Sequence, residues 1–206
     1  MLVTLPFGRY IALEGPEGCG KSTHAARLGA ELDAVVTREH GGTRIGQLIR
    51  GIVADPANTD LTDKAEALLI AADRAQHLAE LVGPALTAGR HVVSDRSAFS
   101  SLAYQGYGRG LPLETVRSVN DWAVGGRWPE LVLLLEVSNE QLARRMRSRE
   151  LDRFEREADS FHGRVASGFR EMAAADPDRW VLIDADRPRD ETAAAIRAAV
   201  RERLGI

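Results

Sequence analysis

Gly15-Pro-Glu-Gly-Cys-Gly-Lys21-Ser22 is the run of this sequence with the sharpest chemistry. It fits G-x-x-x-x-G-K-[ST], in which glycines let backbone N–H groups curl around phosphate oxygens. The lysine of such a loop reaches the β- and γ-phosphates, and the hydroxyl after it serves Mg²⁺. The helix that follows points its positive end at the same anion. The pattern assigns Gly15, Pro16, Glu17, Gly18, Cys19, Gly20, Lys21, Ser22 and Thr23 to ATP, with Ser22 as a Mg²⁺ contact; Asp95, ending the apolar run 91–95, is the metal-side aspartate expected beside it. A glycine-rich connector is the bland alternative. Context disfavours it, because an apolar run ends at Glu14 and a helical pattern starts near Lys21. Cys19 reads as a small loop residue, not a redox group.

The loop alone does not name a reaction. No asparagine is followed by lysine, so the N-K-x-D reader of guanine is missing, and no D-x-x-G occurs. Motor ATPases usually place an acid after the metal-side aspartate, whereas here Asp95 precedes Arg96. An arginine in that place suits a second anionic substrate. The expected chemistry is phosphoryl transfer onto a group that is already phosphorylated.

Four further features fit an acceptor side. Thr37-Arg-Glu-His-Gly-Gly-Thr43 follows the second apolar run, so Arg38 and Glu39 stand at a strand's carboxyl end, where open parallel sheets bind ligands. Ile70, Arg74 and His77 share one helical face. An arginine on an apolar face needs a partner, either a nucleotide phosphate or an acid on a neighbouring helix. His77 reads as structural. Asp95-Arg-Ser-Ala-Phe-Ser-Ser-Leu-Ala-Tyr-Gln105 leaves the third run, and Arg144, Arg145, Arg147, Arg149 and Arg153 form a basic stretch. Glu150, Asp152 and Glu155 interleave that stretch, which argues against a nucleic-acid patch.

These residues need a frame to hold them. Apolar runs at residues 9–14, 34–37, 91–95, 131–137 and 180–184 read as strands. Helical patterns cover 21–32, 43–53, 62–86, 113–124, 139–148, 153–175 and 190–204, with Gly83-Pro84 expected to disturb the end of the third. Strands apolar throughout imply burial on both faces, and strand–helix alternation implies an α/β fold with right-handed crossovers. The 206 residues fit a single domain, 1–206, with an ordinary balance of 44% hydrophobic and 28% charged residues. That excludes disordered, collagenous and disulfide-scaffold classes. A net charge of −3 disfavours general nucleic-acid or membrane-surface binding. One cysteine cannot form an internal disulfide, and the start lacks a signal-peptide pattern, so the expectation is a cytoplasmic protein.

Taken together, the motifs resemble the thymidylate kinase family of the bacterial type. The resemblance runs from about Arg9 to Glu155. It rests on Glu14–Thr23, Thr37–Thr43, Asp73-Arg74 with Gln76-His77, Asp95-Arg96 with Ser100–Gly106, and Arg149 with Asp152–Glu155. It implies a P-loop kinase with a five-stranded parallel sheet flanked by helices and a short mobile lid near 147–158. It also implies the reaction ATP + dTMP giving ADP + dTDP with Mg²⁺, and a homodimer.

By the same resemblance, Glu17, Lys21, Arg96, Arg149 and Arg153 are catalytic, and Arg145 stacks on adenine. Arg38, Glu39, His40, Ile70, Arg74, Arg96, Ser101, Tyr104 and Gln105 hold the acceptor nucleotide. Gly18 leaves no arginine in the loop, which assigns the extra charge to the lid. Three positions depart from the family pattern: His40 stands for proline, Ile70 for the phenylalanine that stacks on thymine, and Ser97 for tyrosine. They keep a kinase for another pyrimidine monophosphate as the runner-up. Intact Lys21, Ser22, Glu17 and Arg96 disfavour a regulatory protein without catalysis.

Overall fold

The computed structural model describes residues 7–146 and 151–206. Five parallel strands, β1 (Tyr10–Glu14), β2 (Val35–Arg38), β3 (Val92–Asp95), β4 (Leu131–Glu136) and β5 (Trp180–Asp184), form one sheet in the order β2-β3-β1-β4-β5. The expected five-stranded parallel sheet is present, with each strand within about one residue of its apolar run.

Burial on both faces is clearest in β4. Leu131, Leu133 and Leu135 pack with Ile11, Leu13, Leu28, Ile196 and Val200 in one cluster. Val132 and Leu134 join Phe99, Phe161, Phe169 and Trp180 in another. A two-residue period sends alternate side chains to opposite layers, and both layers are dry. Helices α1 (Lys21–Glu31) and α9 (Arg189–Leu204) contribute Leu28 and the pair Ile196/Val200 to the first layer. α8 (Asp159–Ala175) contributes Phe161 and Phe169 to the second.

β1 pairs with β3 on one side and β4 on the other. The chain therefore reverses its winding at β1, and ligands sit outside the carboxyl ends at such a switch point. Register brings the functional positions level: Leu13 lies opposite Asp95, and Asp95 opposite Arg38.

Helices α2 (Arg44–Val53) and α6 (Leu113–Val124) match the sequence pattern, and the Thr43 hydroxyl caps α2 by accepting from the Gly46 N–H. Three segments differ from expectation. The pattern over 62–86 resolves into α3 (Asp63–His77), a π-helical stretch Leu78–Val82 and α4 (Gly83–Thr87). Pro84 in the first turn of α4 lacks an N–H and breaks the regular ladder, which is the expected disturbance.

Residues 98–108, left without a helix by the sequence pattern, form α5 (Ala98–Ser101) and a π-helical stretch Leu102–Gly108. The helix expected from 153 begins only at Asp159. Before it, the Asp152 carboxylate accepts from the N–H groups of Phe154 and Glu155, and Glu155 accepts from the Asp152 N–H. That reciprocal capping closes a separate turn. α7 (Asn139–Met146) ends where the described residues pause, so Arg149 lies outside them. Among the described residues, no helix is long and apolar enough to cross a membrane.

Candidate active site

Glu14 ends β1, and the chain turns at once into the phosphate loop. Gly15 has φ +136°, and a Cβ there would lie 2.6 Å from the Leu135 carbonyl oxygen. Gly20 has φ +102° and stands at the N-terminus of α1. Only glycine takes such conformations without strain. The Lys21 ammonium folds back over the loop, donating to the carbonyls of Pro16 (2.7 Å) and Gly15 (3.1 Å). Cys19 is buried beneath it, with its Sγ 3.7 Å from the Lys21 Nζ.

The Ser22 hydroxyl donates to the Asp95 carboxylate across the β1–β3 gap. Two hard oxygen donors at the mouth of a phosphate loop suit Mg²⁺, which takes few protein ligands and leaves its other positions to water and phosphate oxygens. Among the described residues, no cluster of three His, Cys, Asp or Glu side chains offers an all-protein metal cage. Arg145 comes from α7 and donates to the carbonyls of Gly18, Cys19 and Ala185. It lines a cleft of about 590 Å³ together with residues 17–24, Arg38, Arg187 and Arg189.

Arg96 stands where this cleft meets a second pocket. Its backbone has φ +74°, a conformation that costs a non-glycine residue energy and that clusters at functional sites. Bonds from its N–H to the Leu13 carbonyl (2.9 Å) and from the Ser94 hydroxyl to its carbonyl (2.7 Å) hold it there. The guanidinium pairs with Glu17 and donates to Ser100 (3.1 Å), Tyr104 (3.0 Å) and the Gly15 carbonyl (3.4 Å). Burial opposes the Glu17 charge, but Arg96 and Lys21 outweigh it and hold the carboxyl well below the usual carboxylate range. Behind Arg96, the fully buried Glu14 accepts from the Ser97 N–H and from the hydroxyls of Ser97 and Ser100. Ser97 also caps α5, so this departure anchors the strand end and does not line the pocket.

The second pocket, about 40 Å³, is lined by Glu17, Glu39, His40, Arg50, Ile70, Arg74, Arg96, Ser100, Tyr104, Gln105, Asp152 and Phe154. Arg74 is 2% exposed and heavily bonded: to Glu39 (2.8 Å), the Ser97 carbonyl (2.7 Å), Asn120 (3.3 Å) and the Ser101 hydroxyl. It thus has protein partners as well as a pocket face. Glu39 also takes His77 Nδ1 at 2.8 Å, and His77 Nε2 meets the Thr37 hydroxyl at 2.7 Å, a wholly structural environment. Burial opposes the Glu39 charge, yet His77 and Arg74 outweigh it and lower its pKa.

The Glu39–His40 peptide is cis. The His40 imidazole sits 5.9 Å from the Phe154 ring, and its pKa is pushed down to about 3 by burial and by Arg50, Arg74 and Arg96.

The structure thus gathers the expected acceptor residues except Arg38, which lines the larger cleft, and Ser101, which reaches the pocket through Arg74. It does not bring Arg153 to the phosphate loop. That side chain bonds the Val53 carbonyl (2.8 Å) and pairs with Glu66. Sequence reasoning missed Arg50, Phe154, Glu66 and Arg109. Glu66 left a signal: with Ile70 and Arg74 it repeats every four residues, on one helical face.

A parallel sheet with a phosphate loop after its central strand, and an arginine joining that loop to a second pocket, defines a P-loop kinase. The family profile described as Thymidylate kinase matches residues 13–196. A thymidylate kinase of Halothermothrix orenii is 46% identical over 193 residues, spanning 89% of this chain and 92% of that protein. One from Deinococcus radiodurans is 46% identical over 202 residues, spanning 95% and 98%. One from Desulforudis audaxviator is 45% identical over 203 residues, spanning 96% and 92%. The chain belongs to the thymidylate kinase family, as its motifs suggested.

Proposed function

We propose that this chain transfers the γ-phosphoryl group of ATP to dTMP, giving dTDP and ADP, at the junction marked by Arg96. The carrying observation is that the two cavities share Glu17, Glu39, Arg50 and Arg96. A nucleotide in each would bring its phosphates to the same cation. The acceptor's attacking oxygen is already ionised at neutral pH, so the protein's work is positioning and charge stabilisation. Lys21 and the α1 N-terminus hold the donor phosphates. Arg96 leaves Glu17 in part to hold the acceptor phosphate, Tyr104 and Gln105 position its sugar and base, and Ser101 acts through Arg74. Ser22 and Asp95 would hold Mg²⁺, which neutralises β- and γ-phosphate charge. Arg145 contacts adenine, and Arg149 and Arg153 complete the charge around the transferred group as the lid closes. Arg153 must first leave Glu66. Closure also excludes water and limits wasteful hydrolysis.

The same reading includes a cytoplasmic enzyme with no nucleic-acid partner that forms a homodimer. Support for the dimer comes from α3 and α6, which pack together and carry exposed Leu68 and Trp122. Ile70 and His40 in the pocket favour a second reading, in which another pyrimidine monophosphate is preferred. A coupled assay of ADP release with ATP and Mg²⁺ over dTMP, dUMP, UMP, dCMP, CMP, AMP and GMP decides. The highest kcat/KM on dTMP is expected. A higher value on any other acceptor contradicts the proposal.

A further inference from the structure

We propose that Glu66 is a positioning residue for acceptor recognition. By fixing the sense of the Gln105 side-chain amide, it makes the pocket select a pyrimidine whose ring nitrogen carries a hydrogen. The inference rests on the dTMP reading above and concerns how the base is told apart from cytosine.

Glu66 is fully buried on α3, one turn before Ile70 and two before Arg74, so the three share the face turned toward the pocket. Gln105 Nε2 donates to its Oε1 at 2.8 Å. Arg109 donates through Nε to Oε1 at 3.3 Å and through a terminal nitrogen to Oε2 at 3.0 Å. Arg153 pairs with the same Oε2. A carboxylate between two guanidinium groups only accepts hydrogen bonds. The two ends of a glutamine amide are otherwise interchangeable by a flip about the last bond. Glu66 removes that freedom, since turning the carbonyl toward it would set two acceptors face to face. Nor can the carboxylate swing away when Arg153 leaves it: Arg109 bonds both of its oxygens and is itself paired with Glu157.

The other end of the amide is therefore set. Gln105 is 1% exposed and lines the acceptor pocket beside Ile70, Arg74 and Tyr104. Among the described residues, none donates a hydrogen bond to its Oε1. A carbonyl oxygen presented there accepts the N3–H of a thymine or uracil ring. Neutral cytosine has a lone pair on N3, so it would bury two acceptors against each other and lose a bond.

The test compares wild type, Glu66→Gln, Gln105→Leu and the double variant, each checked for folding by thermal melting. The readout is the ratio of kcat/KM for dTMP to that for dCMP at saturating ATP. Glutamine at 66 can donate as well as accept, so the Gln105 amide is free to flip. Glu66→Gln is expected to lower the ratio by about tenfold or more, chiefly through KM for dTMP, with KM for ATP unchanged. In the Gln105→Leu background the same change should leave the ratio where it was, because the group it acts through is gone.

A Glu66→Gln enzyme that loses dTMP and dCMP turnover in equal proportion overturns the proposal. So does an equal drop in the ratio with leucine at 105. Should Glu66→Gln not fold, wild type with N3-methyl-dTMP carries the test. Loss of about tenfold or more in kcat/KM, recovered in Gln105→Leu, supports the fixed amide, and undiminished turnover overturns it. A wild type that fails to prefer dTMP over dCMP overturns the acceptor reading, and this inference with it. A preference that Glu66→Gln leaves unmoved overturns the role of Glu66 alone.

Discussion

The two sides of the cleft are built on opposite plans. The side proposed to take ATP is roomy, about 590 Å³, and its cations rest mainly on backbone: Lys21 on two loop carbonyls, Arg145 on three carbonyls from the loop and Ala185. The side proposed to take the acceptor is about 40 Å³ and is walled by buried charge. Arg74, Glu39 and His77 form one network there, and Glu66, Arg109 and Arg153 another. Phosphate is the same in every nucleotide, so a nest of N–H groups with movable cations suffices to bind it. Telling one base from another needs donors and acceptors that cannot turn, and buried ion pairs supply that rigidity at a cost in desolvation.

Breaking the acceptor-side network should give the largest loss of stability. Glu39→Ala leaves Arg74 and His77 buried without their carboxylate, and a fall of about 3–5 kcal/mol in unfolding free energy is expected. Urea denaturation checks it; a loss under 1 kcal/mol would mean the network relaxes freely. The counterpart on the ATP side should spare the fold and strike the chemistry. Lys21→Ala is expected to lower kcat by about 10²–10³ with little change in melting temperature, since among the described residues Lys21 bonds only loop carbonyls and the Cys19 Sγ.

His40 sharpens the contrast through pH. Folded His40 stays neutral down to about pH 3, whereas an ordinary histidine binds a proton below about 6.5. The unfolded chain therefore binds one more proton within that window. Stability is lost as pH falls from about 6.5 toward 3, by at most about 1.4 kcal/mol per pH unit from this group. His40→Gln should flatten the decline in melting temperature between pH 7 and 5 relative to wild type. An unchanged slope would place the acid sensitivity elsewhere. The smallest expected effect is Ile70→Phe, which adds a ring to the pocket wall and should lower KM for dTMP by a few-fold. A raised KM would mean that the pocket has no room for the ring.

The same division explains what could be read from the sequence. The phosphate loop is eight consecutive residues between a strand and a helix, so its local pattern carries its geometry. Strand positions were legible because β4 and its neighbours are apolar throughout. The partners of Arg74 were not: Glu39, Ser97, Ser101 and Asn120 lie 23 to 46 residues away and meet it only through tertiary packing. Two helical segments were misjudged for local reasons. Residues 98–108 are buried on nearly every side, which hides the helical period. The helix expected from 153 is delayed by the Asp152–Glu155 capping pair. Arg153, expected among the lid's phosphate-facing arginines, is drawn to Glu66 by a carboxylate 87 positions away.

On the proposed reading, Arg96 joins the two cavities so that phosphate passes from one nucleotide to the other. Following ³²P from [γ-³²P]ATP with dTMP and Mg²⁺ tests it most directly. The label should appear in dTDP in step with ADP, and Arg96→Ala should lose that transfer by about 10² or more. ADP released with label in inorganic phosphate alone, or full transfer by the Arg96→Ala enzyme, would contradict the account.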